Sequence, residues 1–399
     1  MKKIIFFFAF FTFSCSTTDK YLPGVTSIFP NFILKYFKED KKTYSSLPEL
    51  LEKVKLQLVW QKNLSGKIDN NYASLNFQKY EKNLYVPTND KKIYVVNYDN
   101  GNFVKSFESE LDIFSGIIVD HNSIYFGSKQ DTVTAINKKN GYVLWQRIMT
   151  SEVMSISDIL NNTIFVRTND SKISAIDVST GNFLWVNSQI PPELSIRGVG
   201  KPIISDTDIY VGFDDGRVIS FDVKNGNIQW QTLLSSSSQK LTIIDRLSDI
   251  DGTMILNKNV LFVISYQGYI AAIDTSSGKI IWSRSGSSLY GISENEKNIF
   301  FIDDNGVLWC LEKYSGNVVW NQDKLLKRIH GTPIIFNEYI IIQDVENYLH
   351  IINTFDGSIS GRLTINYPIQ SFYVDFDSIC LLEKNLSLKK YILNTIKKK

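Results

Sequence analysis

The sequence predicts an all-β fold, a single eight-bladed β-propeller of four-stranded antiparallel blades, and three observations predict it. Aromatic residues make up 13% of the chain, as 25 Phe, 20 Tyr and 7 Trp, and many sit in Val/Ile/Thr-rich runs suited to a pleated, half-buried surface. A motif ending in Trp returns at a period near 40 residues, the spacing of propeller blades. The two ends of the chain each supply part of a blade that neither completes alone. Length by itself, at 399 residues, would suggest two or three domains. The repeat instead joins most of the chain into one ring.

From the start of the chain, Lys2 and Lys3 form a short positive region, and residues 4–13 are an apolar run of ten. Spanning a bilayer takes about 20 such residues, so this run reads as the core of a secretory signal covering residues 1–14. Ser14-Cys15 follows, then a polar stretch from Ser16 to Lys20. A small residue directly before Cys resembles the lipobox of bacterial lipoproteins, which implies acylation of Cys15 and a membrane anchor. Thr12 and Phe13 depart from that pattern, and an ordinary signal peptide with an incidental Cys is the alternative. Residues 15–55 read as acylated Cys, tether and short helix. Ser46-Leu-Pro-Glu49 spells a capping box, and the expected helix carries Leu47, Leu50, Leu51 and Val54.

The propeller is expected over residues 56–399. Residues 133–145 read V-T-A-I-N-K-K-N-G-Y-V-L-W, and residues 173–185, 218–230, 270–282 and 308–320 repeat the pattern. Two degenerate copies, around Gly101 and Gly357, carry Lys105 and Gly361 where the Trp would stand. The seven glycines are spaced 40, 40, 45, 52, 38 and 41 residues apart. The stretch before each Asn/Asp reads as a strand with Ala and Ile on one face and polar residues on the other. The turn needs its Gly for a positive φ, and the following strand carries a Trp to wedge between blades, its N–H requiring an acceptor. Leu58-Val-Trp60-Gln61 is a Trp strand without a turn before it, while residues 372–393 hold strands without a Trp strand after them. Joined, they make blade eight and remove the open edges of the ring.

The chemistry in the sequence is sparse. Without residues 1–14 the chain has 41 basic and 41 acidic residues, so no basic excess speaks for nucleic-acid binding. His121, His330 and His350 have no metal-ligand spacing, and no nucleophile elbow, P-loop or dinucleotide fingerprint occurs. Asp249-Ile-Asp251-Gly252 lacks the later ligands of a calcium loop and reads as a solvated turn. Phe213-Asp-Asp-Gly216 reads as a hairpin, residues 235–238 as a flexible loop, and Cys310 and Cys380 as free buried thiols. Three segments break the repeat: residues 191–198, 244–251 and 324–333. In the first, Leu194 and Ile196 flank a Ser and precede Arg197. Exposed, that is hot-spot chemistry; tucked in, the apolar pair packs on a blade while Arg197 caps carbonyls.

The repeat resembles the pyrroloquinoline-quinone-type propeller repeat. With the lipoprotein-like start and the segments Leu194-Ser-Ile-Arg-Gly198 and Ile244-Asp-Arg-Leu-Ser-Asp-Ile-Asp251, the chain resembles the BamB family of outer-membrane protein assembly factors. The resemblance implies a non-enzymatic scaffold without cofactor, catalytic residue or metal. Its expected partners are the periplasmic POTRA domains of BamA, the β-barrel insertase, and unfolded outer-membrane proteins. The implied contact residues are Leu194, Ile196 and Arg197 in one segment and Asp249 and Asp251 in the other, brought together on one face. The implied location is the periplasmic face of the outer membrane, reached only through the lipid on Cys15. The rival resemblance is to quinone-dependent periplasmic dehydrogenases, which implies calcium, a catalytic Asp and commonly a vicinal cysteine pair. Cys310 and Cys380 stand 70 residues apart.

Overall fold

The computed structural model describes residues 44–66, 68, 75–192, 200–234, 250 and 252–396, and residues 44–399 form one compact unit. Among the described residues there is no helix. Eight four-stranded antiparallel sheets follow one another as blades, and in seven of them the strands run from the innermost to the outermost in chain order. Blades 1 to 7 occupy residues 78–108, 113–148, 153–188, 203–233, 255–286, 293–322 and 329–364. Blade 8 takes three strands from residues 369–395 and its outermost strand from Val54–Asn63, which pairs antiparallel with Ser387–Thr395. The ring therefore closes by joining the two ends of the propeller sequence.

The core lies between blades. Eight apolar clusters each combine residues of two successive blades, as where Tyr125 and Val133 of blade 2 pack with Ile164 and Val166 of blade 3. This corrects the expected one-sided third strand. Ala135 and Ile136 are neighbours in sequence, so they point to opposite faces, yet they are 0% and 1% exposed. A middle strand is sandwiched between two blades, and both of its faces are buried.

The repeat motif is a rivet between blades. Trp145 Nε1 donates to Val178 O of blade 3 at 2.8 Å, and Trp185, Trp230, Trp282 and Trp320 reach the equivalent carbonyls Val223, Thr275, Lys313 and Thr354. Trp60 does the same for blade 8 by donating to Tyr98 O of blade 1. The turn glycine of the next blade lies under the ring: at Gly181, with φ of 70°, a Cβ would stand 2.5 Å from Trp145 Cδ2. Glycine is thus required there twice, for its φ and for the indole.

Both degenerate copies have a physical reading. In blade 1, Lys105 Nζ donates to Lys138 O at 2.6 Å, the carbonyl an indole would have taken, and Phe107 covers Gly141 in place of the Trp ring. In blade 7, a Cβ on Gly361 would collide with the Val54 carbonyl, so its absence lets the N-terminal segment pass.

That segment is not the short helix its spelling suggests; residues 44–53 are irregular and lie along the outer edge of blade 7. Arg328 Nη1 donates to Ser45 O at 3.0 Å, Arg362 Nη2 to Pro48 O at 3.0 Å, and Lys53 N to Ser360 O at 2.8 Å. Carbonyls that a helix would have used are claimed by propeller side chains, and a helix of two turns is marginal alone.

Candidate docking face

In each blade the strands alternate in direction, so every connection from an outermost strand to the next innermost strand leaves on one face of the ring. The hairpins between second and third strands share that face. Residues 193–199 lie in the connection from blade 3 to blade 4, and residues 235–249 and 251 in the next one. Leu194, Ile196, Arg197, Asp249 and Asp251 all fall outside the described residues, as does Cys15 with the signal and most of the tether. Their flanks are described. Ser155 Oγ of blade 3 donates to Gly200 O at 3.1 Å, and Ile250, 1% exposed, donates its amide to Phe213 O at 3.3 Å.

The flank of the second segment comes to the hairpin Gly212–Arg217 of blade 4 through Ile250. Phe213-Asp-Asp-Gly216 turns as expected, with Gly216 N bonded to Phe213 O and φ of 81°. Less expected is the ion pair holding it: Arg167 of blade 3 reaches Asp214, with side chains 3% and 7% exposed, and its guanidinium lies 5.8 Å from the Phe213 ring centroid. Two charges leave water here, which only close mutual geometry compensates. The sequence signal was one Arg, Arg167, the only charged residue in the strand Thr163–Thr168.

The third irregular segment forms a second polar cluster on the same face. Arg328, 2% exposed, binds Asp344 at 2.9 Å, meets Glu346, and stacks 5.0 Å from the Tyr44 ring centroid. His350 Nε2 lies 3.0 Å from Asp344 Oδ2, and Arg362 Nε lies 3.4 Å from His350 Nδ1. Burial opposes ionisation of Asp344, but bonds from His350, the Tyr348 and Glu346 amides and Arg328 hold its carboxyl down at about 2. Burial lowers the His350 pKa, keeping it neutral. These groups bind the chain to itself, fixing residues 44–48 to blade 7.

The innermost strands line an axial cavity of about 540 Å³, with His330, Gly331 and Thr332 among its walls. Among the described residues no three His, Cys, Asp or Glu are grouped so as to hold a metal ion. Cys310 and Cys380 are unbridged, as expected, and burial pushes both thiols up to about 12.

A profile of the family described as outer membrane protein assembly factor BamB matches residues 89–322, more than half of the chain. The chain belongs to the BamB family. The outer membrane protein assembly factor BamB of Escherichia coli is 33% identical over 348 residues, which cover 84% of this chain and 88% of that protein. The crystal structure of BamB from Moraxella catarrhalis superposes with a TM-score of 0.75 at 20% identity, covering 84% of this chain and 99% of that one. Quinohemoprotein alcohol dehydrogenase from Comamonas testosteroni also superposes, at a TM-score of 0.67 and 10% identity over 84% of this chain and 76% of that one, a likeness of fold alone. The BamB relatives, not the dehydrogenase, share both fold and sequence along the chain.

Proposed function

We propose that this chain is a non-enzymatic scaffold lipoprotein of the outer-membrane β-barrel assembly machinery. Residues 1–14 direct export, acylated Cys15 anchors the protein at the periplasmic face of the outer membrane, and residues 16–43 tether the propeller. The docking face binds the POTRA domains of a BamA-like insertase. Leu194 and Ile196 supply apolar contact, Arg197 a fork of donors, and Asp249 and Asp251 acceptors. The insertase so held takes up unfolded outer-membrane proteins, and the unpaired outer strands of the blades give an extended client a sheet edge to join.

The observation that carries this reading is membership of the BamB family over more than half of the chain. The topology supports it: both proposed segments leave successive blades on the same face. The test is titration of the full chain, in detergent, against the soluble periplasmic domains of the cognate insertase. Truncating a central hot spot costs about 2 kcal/mol or more, so Arg197→Ala and Leu194→Ala should each weaken the complex about thirtyfold while circular dichroism stays unchanged. A folded wild-type chain that does not bind overturns the proposal.

A further inference from the structure

The outermost strands of the blades differ in one respect that the repeat does not explain. Successive residues of a strand alternate between faces, so positions one, three and five beyond the repeat Trp share the face opposite the indole. At the third position stand Asn63, Glu108, Ser285, Asp323 and Thr364 in blades 8, 1, 5, 6 and 7. Blades 2 and 4 instead carry Ile148 and Leu233 there, opposite Thr132 and Arg217 in equivalent register. Blade 3 has Ser188 at that position, with Val186 two residues before and Ile190 two beyond. These four aliphatic side chains are far out in solvent: Ile148 is 77% exposed, Val186 50%, Ile190 85% and Leu233 55%.

Exposed aliphatics just before the Trp position recur around the ring, as at Val59, Val104, Ile281 and Val319, but beyond it they are confined to three successive blades, and such a local run marks a contact surface. Edge strands are normally guarded by charge, as Lys105 and Glu108 guard blade 1 and Arg284 guards blade 5. The outermost strand of blade 3, Phe183–Ser188, has no charged residue. Its continuation reaches Ile190 three residues before segment 193–199, and Leu233 stands two residues before segment 235–249.

We infer that Ile148, Val186, Ile190 and Leu233 form an apolar shoulder of the docking face, which seats an uncharged, apolar surface of the insertase's periplasmic domains. This rests on the function proposed above. The occupant follows from position and chemistry: the shoulder is continuous in the chain with both docking segments, its four side chains are uncharged, and the neighbouring Arg217 and Lys172 are already paired with Asp215 and Asp170.

The full chain in detergent is titrated against the soluble periplasmic domains as wild type, Ile190→Lys, Val186→Lys, Arg197→Ala and Val319→Lys. Val319, 49% exposed on blade 6, is the control for adding a rim lysine. Surface positions of this kind tolerate substitution without unfolding. The expected result is at least tenfold weaker binding for Ile190→Lys and Val186→Lys, with Val319→Lys unchanged. Undiminished binding by both shoulder variants while Arg197→Ala loses it overturns the shoulder and leaves the function standing. A folded wild-type chain that does not bind removes both. Sedimentation supplies the remaining outcome: a wild-type dimer that Ile190→Lys converts to monomer assigns the shoulder to a second copy and overturns the proposal.

Discussion

At the scale of single residues, His350 shows how burial and neighbours select a protonation state. Its side chain is 0% exposed, with Asp344 at Nε2, Arg362 at Nδ1, Arg328 beyond Asp344 and the Tyr348 ring centroid 6.4 Å away. The neutral ring with its proton on Nε2 donates to Asp344 and accepts from Arg362, satisfying both nitrogens. Protonating Nδ1 would turn that acceptor against a guanidinium. Burial is the largest cause of the lowered pKa, and Arg362 and Arg328 add to it against Asp344. The unfolded chain therefore binds a proton near pH 6.5 that the folded chain refuses. Stability from this group is complete above 6.5 and falls as pH drops below it, by up to about 1.4 kcal/mol per pH unit. Asp344 acts in a separate, lower window, losing its contribution between 3.8 and about 2. Urea midpoints measured from pH 7 to pH 5 should decline, and His350→Gln, which can still donate and accept, should flatten the decline to the share left by His330, whose pKa burial also lowers. A wild-type midpoint constant across that range would contradict the assignment.

At the scale of elements, the rivet between blades explains what the sequence revealed and what it hid. The five full copies were legible because an indole over a glycine leaves a fixed mark, Gly and then Trp four residues on. Position two beyond the Trp bonds as well: Asn187 Nδ2 donates to Gly226 O at 2.9 Å and Gln322 Nε2 to Gly357 O at 2.6 Å. Those residues vary because any donor of suitable length suffices, so no pattern betrays them. Blade 1 was read as degenerate, yet its junction is complete: an ammonium replaces the indole N–H, and Phe107, two positions on, replaces the ring. Trp185→Phe, which keeps a ring over Gly226 and deletes only the donor to Val223 O, should cost about 1 kcal/mol in urea unfolding. Lys105→Met, which keeps the stem and deletes the donor to Lys138 O, should cost a similar amount. A neutral Lys105→Met would mean that Phe107 alone holds that junction.

At the scale of the whole molecule, closure of the ring depends on a segment whose role was half legible. Val54–Asn63 announced itself through Trp60, a rivet without its own turn, and the blade count followed from it. The stretch just before it did not, because its partners, Leu326, Arg328, Ser360 and Arg362, lie roughly three hundred residues along the chain and act on backbone carbonyls and amides, which leave no side-chain pattern. The proposed docking residues were legible only as segments that break the repeat, since a contact surface obeys no period. The two roles of the N-terminal segment separate by truncation. A chain beginning at residue 44 keeps every described contact and should melt with the full chain. Beginning at residue 54 removes the backbone acceptors Ser45 O of Arg328 and Pro48 O of Arg362 and uncovers the edge of blade 7, leaving a closed ring less stable by a few kcal/mol at about 1 kcal/mol per lost bond. Beginning at residue 64 also removes Val54, Leu56 and Trp60, which are core residues on either side of blade 8. That blade then exposes an unpaired strand, Ser387–Thr395, and two opened apolar layers. This last chain should show no cooperative thermal transition by circular dichroism. If it melted at the temperature of the full chain, the strand from the N-terminus would be an ornament on a ring closed by other means.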